Sequence, residues 1–284
     1  SFNVFFSLLM IIKPELIAKA EEDTKQNKQE VVFKGAVNKI NDKGKGTKPR
    51  ILILTKQYIC YYRNEAPTRI DRQHYWNHIK VYRSKFPEID LEFEGENPQG
   101  NDLFRFTTRD AETIQRKIFD ILYHVLSEDE LAPLDLKRFD IPKYTINGLG
   151  IKERYSSILA QDEKKGSKTI EGQLLEYLPT RNKIFKLKND DNLGEYLLPI
   201  CQALSPYTPL ESLIIPPLKE DSNLYENLNI ILSVLNLPVR HISISTQPDN
   251  KFGAFAESLK GTKKLEAITF RDITMSRENL EQLQ

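Results

Sequence analysis

Cysteine is scarce in this sequence: Cys60 and Cys201 are the only two among 284 residues. Each sits in an apolar segment, Tyr58-Ile59-Cys60-Tyr61 and Pro199-Ile200-Cys201-Gln202. They cannot form a disulfide framework or a CxxC metal pair, which fits a reducing cytosolic setting and two buried packing thiols. Long apolar runs are also missing. The strongest, Phe2 to Ile12, is too short to span a bilayer as a helix. It has no basic residues before it, and Lys13-Pro14 follows it without a small-residue cleavage pattern, so it reads as a packed or extraneous piece rather than a targeting signal. In the extraneous alternative Met10 is the true start and residues 1–9 come from an upstream reading frame.

Excess charge is absent as well. Lys and Arg total 41 against 40 Asp and Glu, a net charge of +1, so the molecule as a whole is no polyanion binder. Catalytic motifs are lacking too. Gly44-Lys45-Gly46-Thr47 has no glycine five places before its Gly-Lys pair, as a P-loop would. His74 and His78 have i, i+4 spacing but fall in a strand-like stretch with no Glu after the first, so they make no zinc site; His124 and His241 read as structural. No nucleophile elbow and no cofactor fingerprint is present. The expectation is a non-enzymatic protein with no cofactor and no metal.

What is present changes texture along the chain. Residues 1–30 form an N-terminal segment whose helix starts at Pro14, with Glu15, Glu21 and Glu22 early. Residues 31–126 carry short β-branched and aromatic runs: Val31–Val37, Arg50–Thr55, Tyr58–Tyr62, Tyr75–Tyr82, Ile89–Glu94 and Leu103–Thr107. Asp110 then serves as N-cap of an amphipathic helix with Ile114, Ile118, Ile121, Leu122 and Val125 on one stripe. Short strands closed by one helix predict a small β-barrel plugged by that helix, although a twisted sheet with a helix on one side would give the same pattern. Residues 127–180 read as a helical linker, with helices at Ile151–Asp162 and Glu171–Leu178.

Beyond residue 180 the sequence repeats. Leu210–Ile215, Val239–Ile244 and Leu265–Phe270 fit L-x-x-L-x-L, and Asn182–Leu187 fits in part. Aligning Phe185, Leu213, Ile242 and Ile268 gives spacings of 28, 29 and 26, with a helix-like stretch after each core. Such a strand-plus-helix unit predicts a leucine-rich-repeat solenoid over residues 181–284, cut within its fourth unit. The usual later Asn or Cys is missing, since Asp190, Leu218, Gln247 and Ile273 stand there; a small α/β domain with parallel strands would also fit. In the solenoid register Lys186, Ile214, Ser243 and Thr269 point onto an outward concave face for a protein partner.

Charge is uneven along the chain. Between Lys34 and Lys85 there are 13 Lys or Arg against three acidic residues, whereas residues 86–126 hold four basic and nine acidic. This predicts one basic end, able to attract anionic lipid by ~1 kcal/mol per well-placed cation. Lys39, then Lys48-Pro49-Arg50, resembles the basic signature on the first hairpin of phosphoinositide-binding PH domains. That resemblance implies lipid contacts from Lys39, Lys43, Lys45, Lys48, Arg50 and Arg63. The order of parts is similar to the N-terminal half of CARMIL proteins: a helix with Pro14-Glu15-Leu16-Ile17, a PH-like domain, a helical linker, and Leu197-Leu198-Pro199-Ile200-Cys201-Gln202-Ala203-Leu204 before a leucine-rich core. It implies a cytoplasmic scaffold, peripheral at the plasma membrane and cell cortex, with actin capping protein bound by regions outside this chain. It also implies an atypical PH helix, since Phe119 or Tyr123 stands in for the usual Trp. A nucleic-acid binder stacking bases on Trp76 and on tyrosines 58, 61, 62, 75 and 82 is the alternative.

Overall fold

The computed structural model describes residues 12–284 except 28, 42, 43, 45, 96–100, 127, 135, 137–149, 163, 165, 178–182, 191, 208, 220–222, 236 and 263. The expectations for residues 1–9 and for Lys43 and Lys45 therefore lie outside the described residues. Two compact units, residues 1–146 and 147–284, make up the chain.

The first unit is mixed α and β. Helix α1 (Pro14–Gln26) precedes β1 (Val31–Ile40), β2 (Thr47–Thr55), β3 (Tyr58–Arg63), β4 (Ile70–Tyr75), β5 (Ile79–Lys85), β6 (Glu88–Glu94) and β7 (Asn101–Thr107). Helix α2 (Ala111–Val125) and the single turn α3 (Glu128–Leu131) follow. The strands form one antiparallel sheet in the order β4-β3-β2-β1-β7-β6-β5, an arrangement consistent with a PH-like sandwich. The closed barrel expected from the sequence is corrected here, because β4 and β5 end the order and do not pair. The strand expected at Tyr75–Tyr82 is likewise broken by a 3-10 turn at Trp76–His78, which delivers Trp76 to the core. Asp110 holds the N-cap position of α2, but its side chain makes no capping bond; Thr108 Oγ1 instead accepts from the Asp110 amide at 3.2 Å.

Strands β2 and β3 are apolar without alternation because both of their faces are buried. Leu52, Leu54, Ile59 and Tyr61 join Phe93, Phe104, Phe106 and the α2 stripe on one side. Ile51, Ile53, Cys60 and Tyr62 pack on the other side with Ala20, Leu16 and Ile17 of α1. Tyr62 OH fastens that helix by donating to the Asp23 carboxylate at 2.9 Å. Burial pushes the Cys60 thiol up, and the Cys201 thiol up to about 12, so neither is a thiolate at neutral pH. Helix α2 carries Phe119 stacked on Tyr123, while the chain's single tryptophan, Trp76, is fully buried and donates its Nε1–H to Thr55 O at 2.9 Å.

In the second unit α4 (Ile151–Gln161) and α5 (Lys168–Tyr177) lead into alternating strands and helices. These are β8 (Ile184–Lys186), α6 (Leu193–Leu204), β9 (Ser212–Ile215), α7 (Leu224–Val234), β10 (His241–Ile244), α8 (Phe252–Leu259), β11 (Ala267–Phe270) and α9 (Arg277–Gln282). The four strands are parallel and lie side by side in chain order. Phe185, Leu213, Ile242 and Ile268 face one another across them, as the spacing predicts, and Ile215, Ile244 and Phe270 form the second row. Just before the strands runs a column of alternating charge. Lys183 pairs with Glu211 at 2.6 Å, and Arg240 pairs with Glu266 at 3.4 Å.

Two stability tests follow from this packing. Ile242, 1 % exposed, should cost ~2–5 kcal/mol when replaced by Ala. Ser243→Ala should be neutral or slightly stabilising, since the buried Ser243 Oγ has no hydrogen-bond partner among the described residues. Comparable losses for both in urea unfolding would overturn the register. The second test concerns His74, whose ring stacks on Phe93 at 4.8 Å and whose Nε2 has no partner among the described residues. Desolvation lowers its pKa from 6.5 to about 4, so the neutral ring contributes stability above pH 6.5 that is lost as pH falls towards 4. His74→Phe should remove that part of the acid destabilisation, read as the difference between the two unfolding free energies across that window.

Candidate functional site

The hairpin of β1 and β2 sets Lys39 directly opposite Lys48, and Val37 opposite Arg50. Arg50 in turn faces Arg63 on β3. Side chains two apart on a strand share a face, so Lys39, Lys48, Arg50 and Arg63 gather at one end of the sheet, at the margin of the core that contains Val37 and Tyr61. Like charges this close repel unless an anion lies between them, and Asp71 supplies it. Tyr61 pairs with Arg72 while the next residue, Tyr62, pairs with Ile70, so Asp71 is the extra residue of a β-bulge. The bulge aims its carboxylate into the basic row, the kind of redirection that bulges produce.

Asp71 Oδ2 accepts from Lys39 Nζ at 2.9 Å and from Arg50 Nε at 3.0 Å, and Arg63 Nε lies 3.3 Å from Oδ1. Arg50 Nη1 also donates to Pro49 O at 2.9 Å, and Lys39 Nζ stands 5.7 Å from the centroid of the Tyr61 ring. Burial by itself would raise the Asp71 carboxyl, but hydrogen bonds from Arg50 and Lys39 outweigh it and hold the group well below the usual carboxylate range. Lys48 stays exposed beside an open cleft of about 480 Å³ lined by Lys39, Asn41, Lys48, Pro49, Arg50, Arg63, Asn64, Glu65 and Asp71. Four cations against two carboxylates leave this cleft positive, with Lys48 its exposed ammonium and Arg63 half-buried at its margin.

Of the lipid-contact residues named from sequence, Lys39, Lys48, Arg50 and Arg63 come together. Arg50 is only 8 % exposed and Lys39 is tied to Asp71, so these two organise the site more than they face solvent. The basic region is also less concentrated than its sequence implies, because Lys34 pairs with Glu21, Lys56 with Glu30, Lys80 with Glu94 and Arg83 with Glu92. Asp71 was missed as a site residue; in sequence it is merely one of three acids in a basic stretch.

Lys186, Ile214, Ser243 and Thr269 do form one row across the parallel sheet. Lys186 and Thr269 are exposed, but Ser243 is buried, which corrects the expectation that all four point freely outward. Ser243 lies on an inner strand between Ile214 and Thr269, and its small side chain is covered there. The rings expected to stack bases are not open for it: Trp76 and tyrosines 58, 61, 62 and 82 are buried, and Tyr75 is half-buried.

No family model matches this chain, and no curated protein does, so nothing there supports membership of the CARMIL family. Among solved structures, the C-terminal domain of an unknown protein from Leishmania infantum is similar at 13% identity over 36% of this chain and 93% of its own, with a TM-score of 0.29. The pleckstrin homology domain of human KIAA0053 protein matches at 16% identity over 32% of this chain and 86% of its own (TM-score 0.27). The hSac2 domain from human phosphoinositide phosphatase Sac2 matches at 12% identity over 38% and 79% (TM-score 0.25). None reaches a TM-score of 0.5, so none bears on what this chain binds.

Replacing Asp71 by Asn should test the electrostatic centre. The variant leaves partly buried cations without their anion and should lose about 1–3 kcal/mol at neutral pH. A carboxyl whose pKa is lowered on folding stabilises above its unfolded value of 3.8, and that contribution fades as pH falls below it. The gap between wild type and Asp71→Asn should therefore shrink in unfolding curves taken below pH 4. A gap independent of pH would mean that Asp71 acts by shape alone.

Proposed function

We propose that this chain is a non-enzymatic scaffold that attaches to anionic membrane through the Lys39–Lys48–Arg50–Arg63 cleft. The observation that carries the reading is the convergence of three cations on one bulge carboxylate, with Lys48 exposed at their side. Such a cluster is built in advance, so a lipid phosphate meets donors already held in place and loses little ordering entropy. The hairpin glycines Gly44 and Gly46 have φ of 68° and 79°, backbone that other residues adopt only with strain. Phosphoinositides belong to the ligand class that this chemistry suits.

The second part of the proposal reads the parallel sheet of the second unit as the opening of a leucine-rich-repeat array. The even register of β8 to β11, one helix after each strand and the 28-, 29- and 26-residue spacings support it. Its open face, with Lys186 and Thr269 exposed, would receive a protein partner. A peripheral place at the plasma membrane or cortex, in a CARMIL-like role in which other regions regulate capping protein, completes the reading. Burial of the rings disfavours the nucleic-acid alternative.

Lys48→Ala combined with Arg63→Ala should weaken sedimentation with phosphatidylserine- or phosphoinositide-containing liposomes by about 10-fold or more, at ~1 kcal/mol per cation. Lys80→Ala with Arg83→Ala, which removes two cations paired elsewhere to Glu94 and Glu92, should have little effect. Added salt should weaken wild-type binding. Equal losses for both double variants would replace the cleft by a diffuse basic surface, and binding to oligonucleotide but not to liposomes would sink the membrane reading.

A further inference from the structure

The cations around the cleft are not equivalent. Asp71 Oδ2 accepts from both Lys39 and Arg50, whose side chains are only 14 % and 10 % exposed. Arg63 is held more loosely, 3.3 Å from Oδ1 and with its side chain 36 % exposed. Lys48 is exposed and has no ion-pair partner among the described residues.

A fifth cation joins them through the β3–β4 turn. Three backbone bonds close that turn: Arg63 N donates to Arg69 O at 3.1 Å, Ala66 N to Arg63 O at 3.2 Å, and Arg69 N to Ala66 O at 2.9 Å. The first continues the ladder beyond the Tyr62–Ile70 pair and sets Arg69 directly opposite Arg63. Opposite residues of an antiparallel pair share a face, and Arg63 in turn faces Arg50. Three arginines therefore form one row across β2, β3 and the start of β4. Like charges so placed repel one another. Asp71 relieves the repulsion for Arg50 and Arg63, but Arg69 is exposed and has no ion-pair partner among the described residues. It stands outside the cleft lining, on the β4 flank. Glu65, exposed in the same turn, is the other acid there.

Neighbouring strands lie ~4.8 Å apart and alternate residues of a strand ~6.7 Å, so Lys48 and Arg69 are rooted about 12 Å from each other. One phosphate group is too narrow to meet both. A layer of anionic headgroups meets every cation spread over such a strip. We propose that an outer tier of Lys48, Arg63 and Arg69 makes the contact with an anionic bilayer, while Lys39 and Arg50 stay on Asp71 and support it from beneath. The proposal rests on the membrane reading of the cleft and moves its contact surface outward, towards β4. Two cations of the PH-like signature then serve structure, and Arg69, which lies outside that signature, serves contact.

Sedimentation with vesicles of phosphatidylcholine plus phosphatidylserine, and of phosphatidylcholine alone, tests this. Wild type should bind the first and not the second. Arg69→Ala should weaken binding to the anionic vesicles about 5-fold, as should Lys48→Ala. Arg69→Lys keeps the charge and should retain most of the binding. Lys19→Ala removes an exposed cation from α1, which covers the opposite face of β2 and β3, and should change binding by less than about 2-fold. Soluble glycerophosphoserine offers the headgroup without a surface and should compete poorly. If Lys48→Ala weakens binding while Arg69→Ala matches Lys19→Ala, Arg69 is no contact; the outer tier is overturned and the cleft reading stands. Full competition by glycerophosphoserine at the concentration of the lipid would mean a pocket for one headgroup, and would overturn the spread contact. If wild type sediments with neither vesicle, the membrane reading fails and this inference with it. Arg69→Gln, which keeps a polar stem, gives the same readout should Arg69→Ala lose its folded circular dichroism.

Discussion

Burial of β2 and β3 on both faces is the constraint from which the first unit is built. A strand with water on one side can alternate polar and apolar residues, but these two cannot, because α1 covers one face and the aromatic core the other. Charged side chains on them are confined to the strand ends. Arg50 enters as β2 becomes fully buried, and Arg63 closes β3. Antiparallel pairing then sets these two arginines opposite each other, and the hairpin brings Lys39 and Lys48 alongside. The concentration of cations at one end is thus a consequence of apolar strands that have no other place for charge.

That concentration would be unstable without Asp71. Three partly buried cations cost more desolvation than they regain unless an anion with well-placed oxygens meets them. A bulge in β4, the edge strand, is where an extra residue can be inserted at least cost to the ladder. The carboxylate lowers the net charge of the cleft, and with it the long-range attraction for anions. In exchange it fixes the direction of the arginine fork, which matters more at contact distance than at a Debye length.

Much of this was legible in the sequence. Continuous β-branched runs reveal doubly buried strands, and the recurrence of Phe185, Leu213, Ile242 and Ile268 gives the parallel register directly, because each unit repeats the same local pattern. Strand β4 was not legible: Ile70-Asp71-Arg72-Gln73-His74-Tyr75 has little apolar alternation, and it is a strand because β3 offers it hydrogen bonds. Asp71 escaped for the same reason, since a bulge exists only in the relation between two strands. Ser243 shows the converse limit: periodicity gives the face of a strand correctly, yet a small residue on an inner strand of that face is buried.

The second unit reaches its order by a different route. Each strand contributes only three or four residues, too few to specify a register by cross-strand hydrogen bonds alone. A slip of one residue would turn Leu213 and Ile242 outward, so the apolar rows penalise it heavily. The column Lys183, Glu211, Arg240 and Glu266 adds a finer control, because alternating signs place unlike charges side by side only when consecutive strands start level. Each exposed pair contributes only ~0.2–1 kcal/mol. Its larger effect is on alternatives: a shifted strand loses its ion pair while also exposing its core residues, so both terms favour the level arrangement.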